Sequence, residues 1–177
     1  MRKIISIDID EVLRNFVQSL QKVYQEKYPK DWIKPVTGYK LAPFFEKGVA
    51  INKFFSEDYA IEIFCSATAI ESETKLTYKL HELGYFILLN SNQPNAECDK
   101  LALKWIVMNN IYYDALILTP DKSIVKCDVH LDDATHHLEA LKQKGIRAVA
   151  FDRPWNQDWT GERVKTHQEF IDLIQKG

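Results

Sequence analysis

An apolar run, Lys3-Ile4-Ile5-Ser6-Ile7, ending on two aspartates spaced two apart, Asp8 and Asp10, constrains this chain more than any other stretch. Its residues suit a buried strand and no turn residue interrupts them, as in the central strand of a parallel sheet. In open α/β sheets ligands gather beyond the carboxyl ends of the strands. The two carboxylates would bracket one loop there, near enough to share a cation. An isolated Asp-x-Asp is more often a polar strand-to-helix turn, so the rest of the chain has to decide.

Four further runs read as strands. Tyr85 to Leu89 delivers Asn90, Ser91 and Asn92 at its tip. Ala115 to Thr119 comes next, Cys127 to Leu131 runs straight into Asp132-Asp133, and Ala148 to Phe151 is the last. Apolar spacing of three and four predicts helices over Val12–Tyr28, Glu71–Leu83 (closed by Gly84), Glu97–Asn109, Thr135–Lys144 (closed by Gly145) and about Arg163–Lys176. Strands alternating with helices give an α/β fold with a doubly wound parallel sheet.

One gap is out of proportion. About 70 residues separate the first two strands, far more than a crossover needs. Residues 14–75 therefore read as a small helical cap inserted after the first strand, with 1–13 and 76–177 as the core. Within it, Trp32 to Pro43 is loop-like, and residues 44–66 read as short helices around Phe44, Phe45, Phe54, Phe55, Ile61 and Phe64. Trp32, Phe44 and Phe45 are hydrophobic filler sooner than pocket lining.

With 46% hydrophobic and 27% charged residues over 177, the chain can build one core carrying such an insertion. A formal net charge of −2 without a basic block argues against a broad nucleic-acid-binding face. Cys65, Cys98 and Cys127 are scattered and odd in number, so neither a disulfide framework nor a zinc site is indicated. No stretch reads as a signal peptide or approaches the roughly 18 apolar residues of a membrane span. A soluble, cytoplasmic protein is the expectation.

The polar groups at the strand ends have complementary chemistry. An aspartate can attack phosphorus and split a hydrolysis into two easier steps. A hard divalent cation held by carboxylates offsets the repulsion between attacking oxygen and phosphate, and magnesium suits that role. A hydroxyl and a lysine can hold the other phosphoryl oxygens. A second aspartate can protonate the leaving oxygen and later deprotonate water. Asp8/Asp10, Ser91, Lys122 and Asp132/Asp133 supply these parts.

In order and spacing the chain resembles the haloacid-dehalogenase (HAD) phosphohydrolases with a small helical cap. The resemblance rests on Asp8-Ile9-Asp10-x-Val, a strand-end serine, and a lysine ten residues before an Asp pair. Within that superfamily it is most similar to the 5′(3′)-deoxyribonucleotidases, through Leu118-Thr119-Pro120-Asp121-Lys122 to Leu131-Asp132-Asp133 and through Phe151-Asp152-Arg153-Pro154-Trp155-Asn156. The resemblance implies a HAD-like Rossmannoid core and a magnesium-dependent phosphatase hydrolysing (deoxy)nucleoside monophosphates through an aspartyl-phosphate on Asp8. It makes Asp8 the nucleophile and a metal ligand. Asp10 becomes the acid/base, lending its backbone carbonyl to the metal. Ser91 with Asn90 binds phosphate, and Lys122 orients phosphate and nucleophile. Asp133 is the metal carboxylate with Asp132 as fallback, and Phe16 packs on the nucleobase. The expected partner is a small nucleotide, with a homodimer left open and nucleic acid and membrane not expected.

Two departures stand out. Glu11 occupies a position where the family usually has Gly, and Asn90-Ser91-Asn92 replaces a Thr-Ser-Pro-like tip. Arg14 and Arg153 are weaker candidates for reaching a phosphate or base, while His130, His136 and His137 read as structural. The alternatives are a HAD phosphatase for another small phosphoester or a polynucleotide 3′-phosphate, and an inactive HAD-fold binding protein.

Overall fold

The apolar runs form the strands β1 (Ile4–Ile7), β2 (Phe86–Ser91), β3 (Ala115–Leu118), β4 (Val129–Asp132) and β5 (Arg147–Phe151) of a computed structural model that describes residues 2–70 and 75–176. With β6 (Glu162–Val164) they make one all-parallel sheet in the order β3-β2-β1-β4-β5-β6. The chain leaves β1 toward β2 and β3, then returns past it to β4, so the strand order reverses between β1 and β4. Ile7 pairs with both Leu89 and Leu131. That register sets Asp8, Asn90 and Asp132 side by side at the reversal, where the crevice of such a sheet opens.

The helices are α1 (Phe16–Lys27), α2 (Ile51–Lys53), α3 (Ala60–Ser66), α4 (Lys75–Glu82), α5 (Ala96–Met108), α6 (Thr135–Gln143) and α7 (His167–Lys176). Asn95 caps α5, its side-chain oxygen accepting from Cys98 N at 2.9 Å. The predicted first turn of α4, from Glu71, lies outside the described residues. Among the described residues no helix is long and apolar enough to cross a membrane.

Apolar side chains gather into separate clusters. The largest packs the sheet (Ile5, Ile7, Leu89, Leu131, Val149) against α4, α5 and α7. A second joins Leu20, Val23 and Tyr24 of α1 to Phe45, Phe54, Ile63 and Phe64, with Cys98 of α5 beneath. The chain enters and leaves this second region at one place. Asn15 N donates to Thr68 O at 2.9 Å, Ile70 N to Leu13 O at 2.8 Å, and Arg14 bridges to Ala69.

Three elements differ from the sequence reading. The first helix starts at Phe16, not Val12. Val12 and Leu13 are apolar because they pack into the sheet's cluster, while Leu13 N and Arg14 N both bond Ile9 O in a tight turn. Ile61, expected inside, is exposed. The last helix begins at His167, and Arg163 instead belongs to β6, an edge strand too short for a period to show. Its pairing is reinforced by a bidentate Arg147–Glu162 contact at 2.7 Å for both bonds. The chain can turn into β6 because residue 161 is Gly. A Cβ there would sit 2.4 Å from the Trp159 indole. Gly161→Ala is expected to destabilise the protein by about 1–3 kcal/mol through this overlap. An unchanged melting temperature would show that Trp159 moves aside at no cost.

Candidate active site

The ends of β1 and β4 and the turn after β3 converge on one ammonium group. Lys122 stands on a short 3-10 turn, Lys122–Ile124, capped by Asp121, and its carbonyl accepts from the Asn90 side-chain amide at 3.1 Å. Held this way, Lys122 Nζ lies 2.8 Å from Asp8 Oδ2 and 2.7 Å from Asp132 Oδ2, all three side chains being buried. Oxygens of Asp8, Asp132 and Asp133 lie within 4.8 Å of one another. Three carboxylates around one lysine leave negative charge uncompensated. Burial, with Asp132 and Asp10 adding to it, pushes the Asp8 carboxyl up to about 7 against the opposing pull of Lys122. Burial, then Asp132 and Asp8, raise Asp133 well above the usual carboxylate range. Asp132 goes the other way: burial is outweighed by Lys122 and by its hydrogen bond from His130, and it is held low.

The two neighbouring aspartates are not equivalent. Asp132 is saturated, with Oδ2 accepting from Lys122 and from His130 Nε2 (2.9 Å) and Oδ1 from Ala134 N (2.9 Å). Because the carboxylate only accepts, His130 carries its proton on Nε2 and accepts from Ser6 Oγ through Nδ1, at 2.7 Å. Burial holds that ring neutral. Asp133 has a single side-chain donor, Trp155 Nε1, 2.7 Å from Oδ2. Its Oδ1 accepts no hydrogen bond among the described residues.

Asp10 points another way. Arg14, four residues on and fully buried, takes its carboxylate in a fork, Nε to Oδ1 at 2.7 Å and Nη2 to Oδ2 at 2.9 Å. The guanidinium lies over the Phe64 and Trp105 rings, 4.7 and 5.4 Å from their centroids. The Gln93 amide donates to Asp10 Oδ2 (2.9 Å) and to Ser91 Oγ (3.0 Å), tying the acid to the strand-end hydroxyl. Glu11 adopts a left-handed φ of 57°, the backbone shape that favours Gly. Its carboxylate accepts from Val17 N at 2.7 Å and so caps α1, whose Asn15 makes no side-chain cap bond. Burial pushes Glu11 up to about 7.

Above these groups opens a cavity of about 660 Å³. Asp8, Asp10, Phe16, Lys122 and Asp133, all singled out from the sequence, line it. Asp132, Asn90 and Ser91 are buried just behind its wall. Phe16 meets Phe55 and Phe64 edge to face, with centroids 5.4 and 5.3 Å away. Trp32, Phe44 and Phe45 do not line the cavity, nor do Arg14 and Arg153, the latter spanning Glu11 by Nε to its backbone oxygen at 2.9 Å. Tyr39 and Gln93 line it without having been picked out from the sequence, as do His137, read there as structural, and Trp155, quoted there only within the family-like segment after the last strand. Two weak signals existed: Arg14 stands at helical spacing from Asp10, and His130 shares a strand face with Asp132.

The crowding of acids has a measurable consequence. Asp8 and Glu11, both raised to about 7 from 3.8 and 4.5, contribute stability that is complete below those ordinary values and lost as pH rises through about 7. His130 and His137 are lowered by burial, so their effect on stability lies below the ordinary 6.5. Chelator-treated protein is therefore expected to melt lower at pH 8.5 than at pH 6.5. A flat profile would mean that the acids feel neither burial nor one another.

A parallel sheet whose strand-end aspartates face a lysine across the reversal point has the fold of the haloacid dehalogenase superfamily. A haloacid dehalogenase-like hydrolase of Streptococcus pneumoniae superposes with a TM-score of 0.70 at 12% identity, covering 98% of this chain and 99% of that one. A HAD hydrolase of Bacillus subtilis bound to magnesium does so at 0.65 and 10%, covering 98% of each. The sequence model of the family described as "5′ nucleotidase, deoxy (Pyrimidine), cytosolic type C protein" matches residues 2–177, and the chain belongs to that family of phosphoric monoester hydrolases. A 5′(3′)-deoxyribonucleotidase of Bacillus subtilis is 25% identical over 172 residues, 89% of this chain and 90% of its own length. A 5′(3′)-deoxyribonucleotidase of Bacillus phage SPbeta matches to the same extent.

Proposed function

We propose that the protein hydrolyses deoxyribonucleoside monophosphates to nucleoside and phosphate through an aspartyl-phosphate on Asp8. The observation that carries this reading is the Lys122 ammonium held between Asp8 and Asp132 at the floor of an aromatic-walled cavity. Family membership and the name of the Bacillus relative support the choice of substrate. A cavity of about 660 Å³ is within the range that encloses a small organic ligand.

Asp8 would attack phosphorus with the oxygen that faces Lys122, expelling the nucleoside oxygen. Asp10 would donate a proton to that leaving group and then take one from the water that cleaves the acyl-phosphate. Lys122 and the Ser91 hydroxyl, oriented by Gln93, would hold phosphoryl oxygens, and Asn90 would steady Lys122 through its carbonyl. Phe16, braced by Phe55 and Phe64, would pack on the base. Residues 14–75 would act as the cap, joined to the core at the crossing of Leu13–Asn15 and Thr68–Ile70.

The donor set fits magnesium: carboxylate oxygens only, close together and crowded by their own charge. Asp8, Asp133 and the Asp10 carbonyl would hold it. Asp133 is preferred because its Oδ1 accepts no hydrogen bond among the described residues, whereas Asp132 is spent on three donors. Bound there, the cation would supply positive charge opposite the phosphate. The test is phosphate release from a panel of 5′ and 3′ deoxyribonucleotides, ribonucleotides, sugar phosphates and 3′-phosphorylated oligonucleotides, each with and without magnesium. Deoxyribonucleotides are expected to lead. A sugar phosphate or an oligonucleotide end leading instead would overturn the assignment.

A further inference from the structure

Trp155 belongs to two structures at once. It sits in the loop after β5, yet its ring packs against the apolar cluster built by α1, α2 and α3. Its indole N–H meanwhile donates to Asp133 Oδ2 at 2.7 Å, and the same ring lines the cavity. The loop is firmly anchored. The Asn156 amide donates to Asp133 O and Phe151 O, both at 2.8 Å, and Arg163 grips the Asn156 side chain at 2.6 Å and its carbonyl at 2.6 Å. One carboxylate oxygen of Asp133 is thus fixed by a rigid donor, the other accepts no hydrogen bond among the described residues, and the carboxylate has an oxygen within 4.8 Å of those of Asp8 and Asp132.

We infer that Trp155 is a positioning residue for the cation site: its indole N–H orients the Asp133 carboxylate so that the free oxygen faces the metal, and its ring joins that carboxylate to the cap. This rests on the reading of Asp133 as a metal ligand. A partner bonded to a ligating carboxylate sets its angle and its basicity. An indole N–H suits this place, since it donates but cannot accept and cannot itself take the metal. A site residue acting through another in this way also links the wall of the substrate cavity to the ion beneath it.

Trp155→Phe keeps an aromatic ring against the cap and removes the donor. Magnesium binding to the substrate-free protein is measured by calorimetry for wild type, Trp155→Phe and Asp133→Asn, beside metal-free melting of each. Affinity is expected to fall about 10- to 100-fold in Trp155→Phe, with metal-free melting unchanged, and at least as far in Asp133→Asn. Full affinity in Trp155→Phe with loss in Asp133→Asn would overturn the inference and leave the metal site standing. So would a loss in Trp155→Phe matched by a lower metal-free melting temperature, because the ring would then serve packing alone. Full affinity in Asp133→Asn would remove the ligand and the inference together.

Discussion

Asp8→Asn is expected to abolish phosphate release, with a loss on the order of ten-thousand-fold or more, in a protein that still folds. The change is small in volume and keeps one contact intact, since an amide oxygen can accept from Ile9 N as Asp8 Oδ1 does at 2.7 Å. The other oxygen is replaced by an amide that cannot attack phosphorus. Lys122 loses one of two partners but keeps Asp132 at 2.7 Å. The lost attraction is offset in part, because one of three crowded carboxylates is gone and the remaining pair repel fewer neighbours. Melting in chelator should therefore move by a few degrees at most. Retained turnover on deoxyribonucleotides would mean that another group attacks phosphorus, and the covalent route would have to be given up.

Position 11 shows how a departure from a family pattern resolves physically. A glycine there offers a left-handed backbone without a side chain in the way. Glu11 adopts that backbone all the same, at φ 57°, and its side chain does something glycine cannot by capping the helix that carries Phe16. Strain of roughly 1–2 kcal/mol for a left-handed residue is set against a cap bond of similar size. The two terms cancel closely enough for either residue to fold. That balance depends on a contact with Val17, six residues away, and no pattern of residue types announces it.

The sheet was legible because buried parallel strands are short continuous apolar runs, and five stand out from their surroundings. The candidate site was legible because the acids and lysine that folding brings together stand at or just past the ends of those runs. What escaped was of two kinds. Elements of three residues, such as β6, carry too little pattern for a period to register. Groups that hold other groups, such as Arg14 on Asp10, His130 on Asp132, Gln93 on Ser91 and Trp155 on Asp133, bear residue types common in cores and loops. Their role is set by the partner that folding brings to them. The insertion between β1 and β2 was legible as an excess of length but not in its detail. Its surface helices bury only narrow faces, which is how Ile61 came to point outward.

Lys122→Met should damage both stability and turnover, by separate routes. The side chain is buried and its charge is the only one from the protein set between Asp8 and Asp132 among the described residues. Methionine fills much of the same space, so packing is nearly kept while two buried carboxylates lose their counter-charge. Breaking a buried pair in this way costs about 3–5 kcal/mol. The sign of the pH dependence follows from Asp132, whose carboxyl Lys122 holds well below the ordinary 3.8. In wild type that interaction persists down to the ordinary 3.8 and is lost only below it, whereas in the variant the buried Asp8 and Asp132 carboxyls, no longer pulled down by the ammonium, take up protons as pH falls from 8. The gap between wild type and variant should therefore be wide at pH 8 and narrower toward pH 4, where a carboxyl can take up a proton in place of the lost ammonium. Magnesium should narrow the gap at pH 8 by bringing charge back to the cluster. Turnover should stay depressed by on the order of a hundred- to a thousand-fold, because in the proposed mechanism the cation would not replace the ammonium that holds phosphoryl oxygens. Lys122→Arg should not rescue it: a planar fork cannot occupy a slot shaped for a point charge 2.7–2.8 Å from two carboxylates. Melting of both variants at pH 4 and 8, with chelator or magnesium, separates the two routes. A destabilisation of Lys122→Met equal at both pH values would assign its cost to the lysine stem and remove the charge argument on which the site is built.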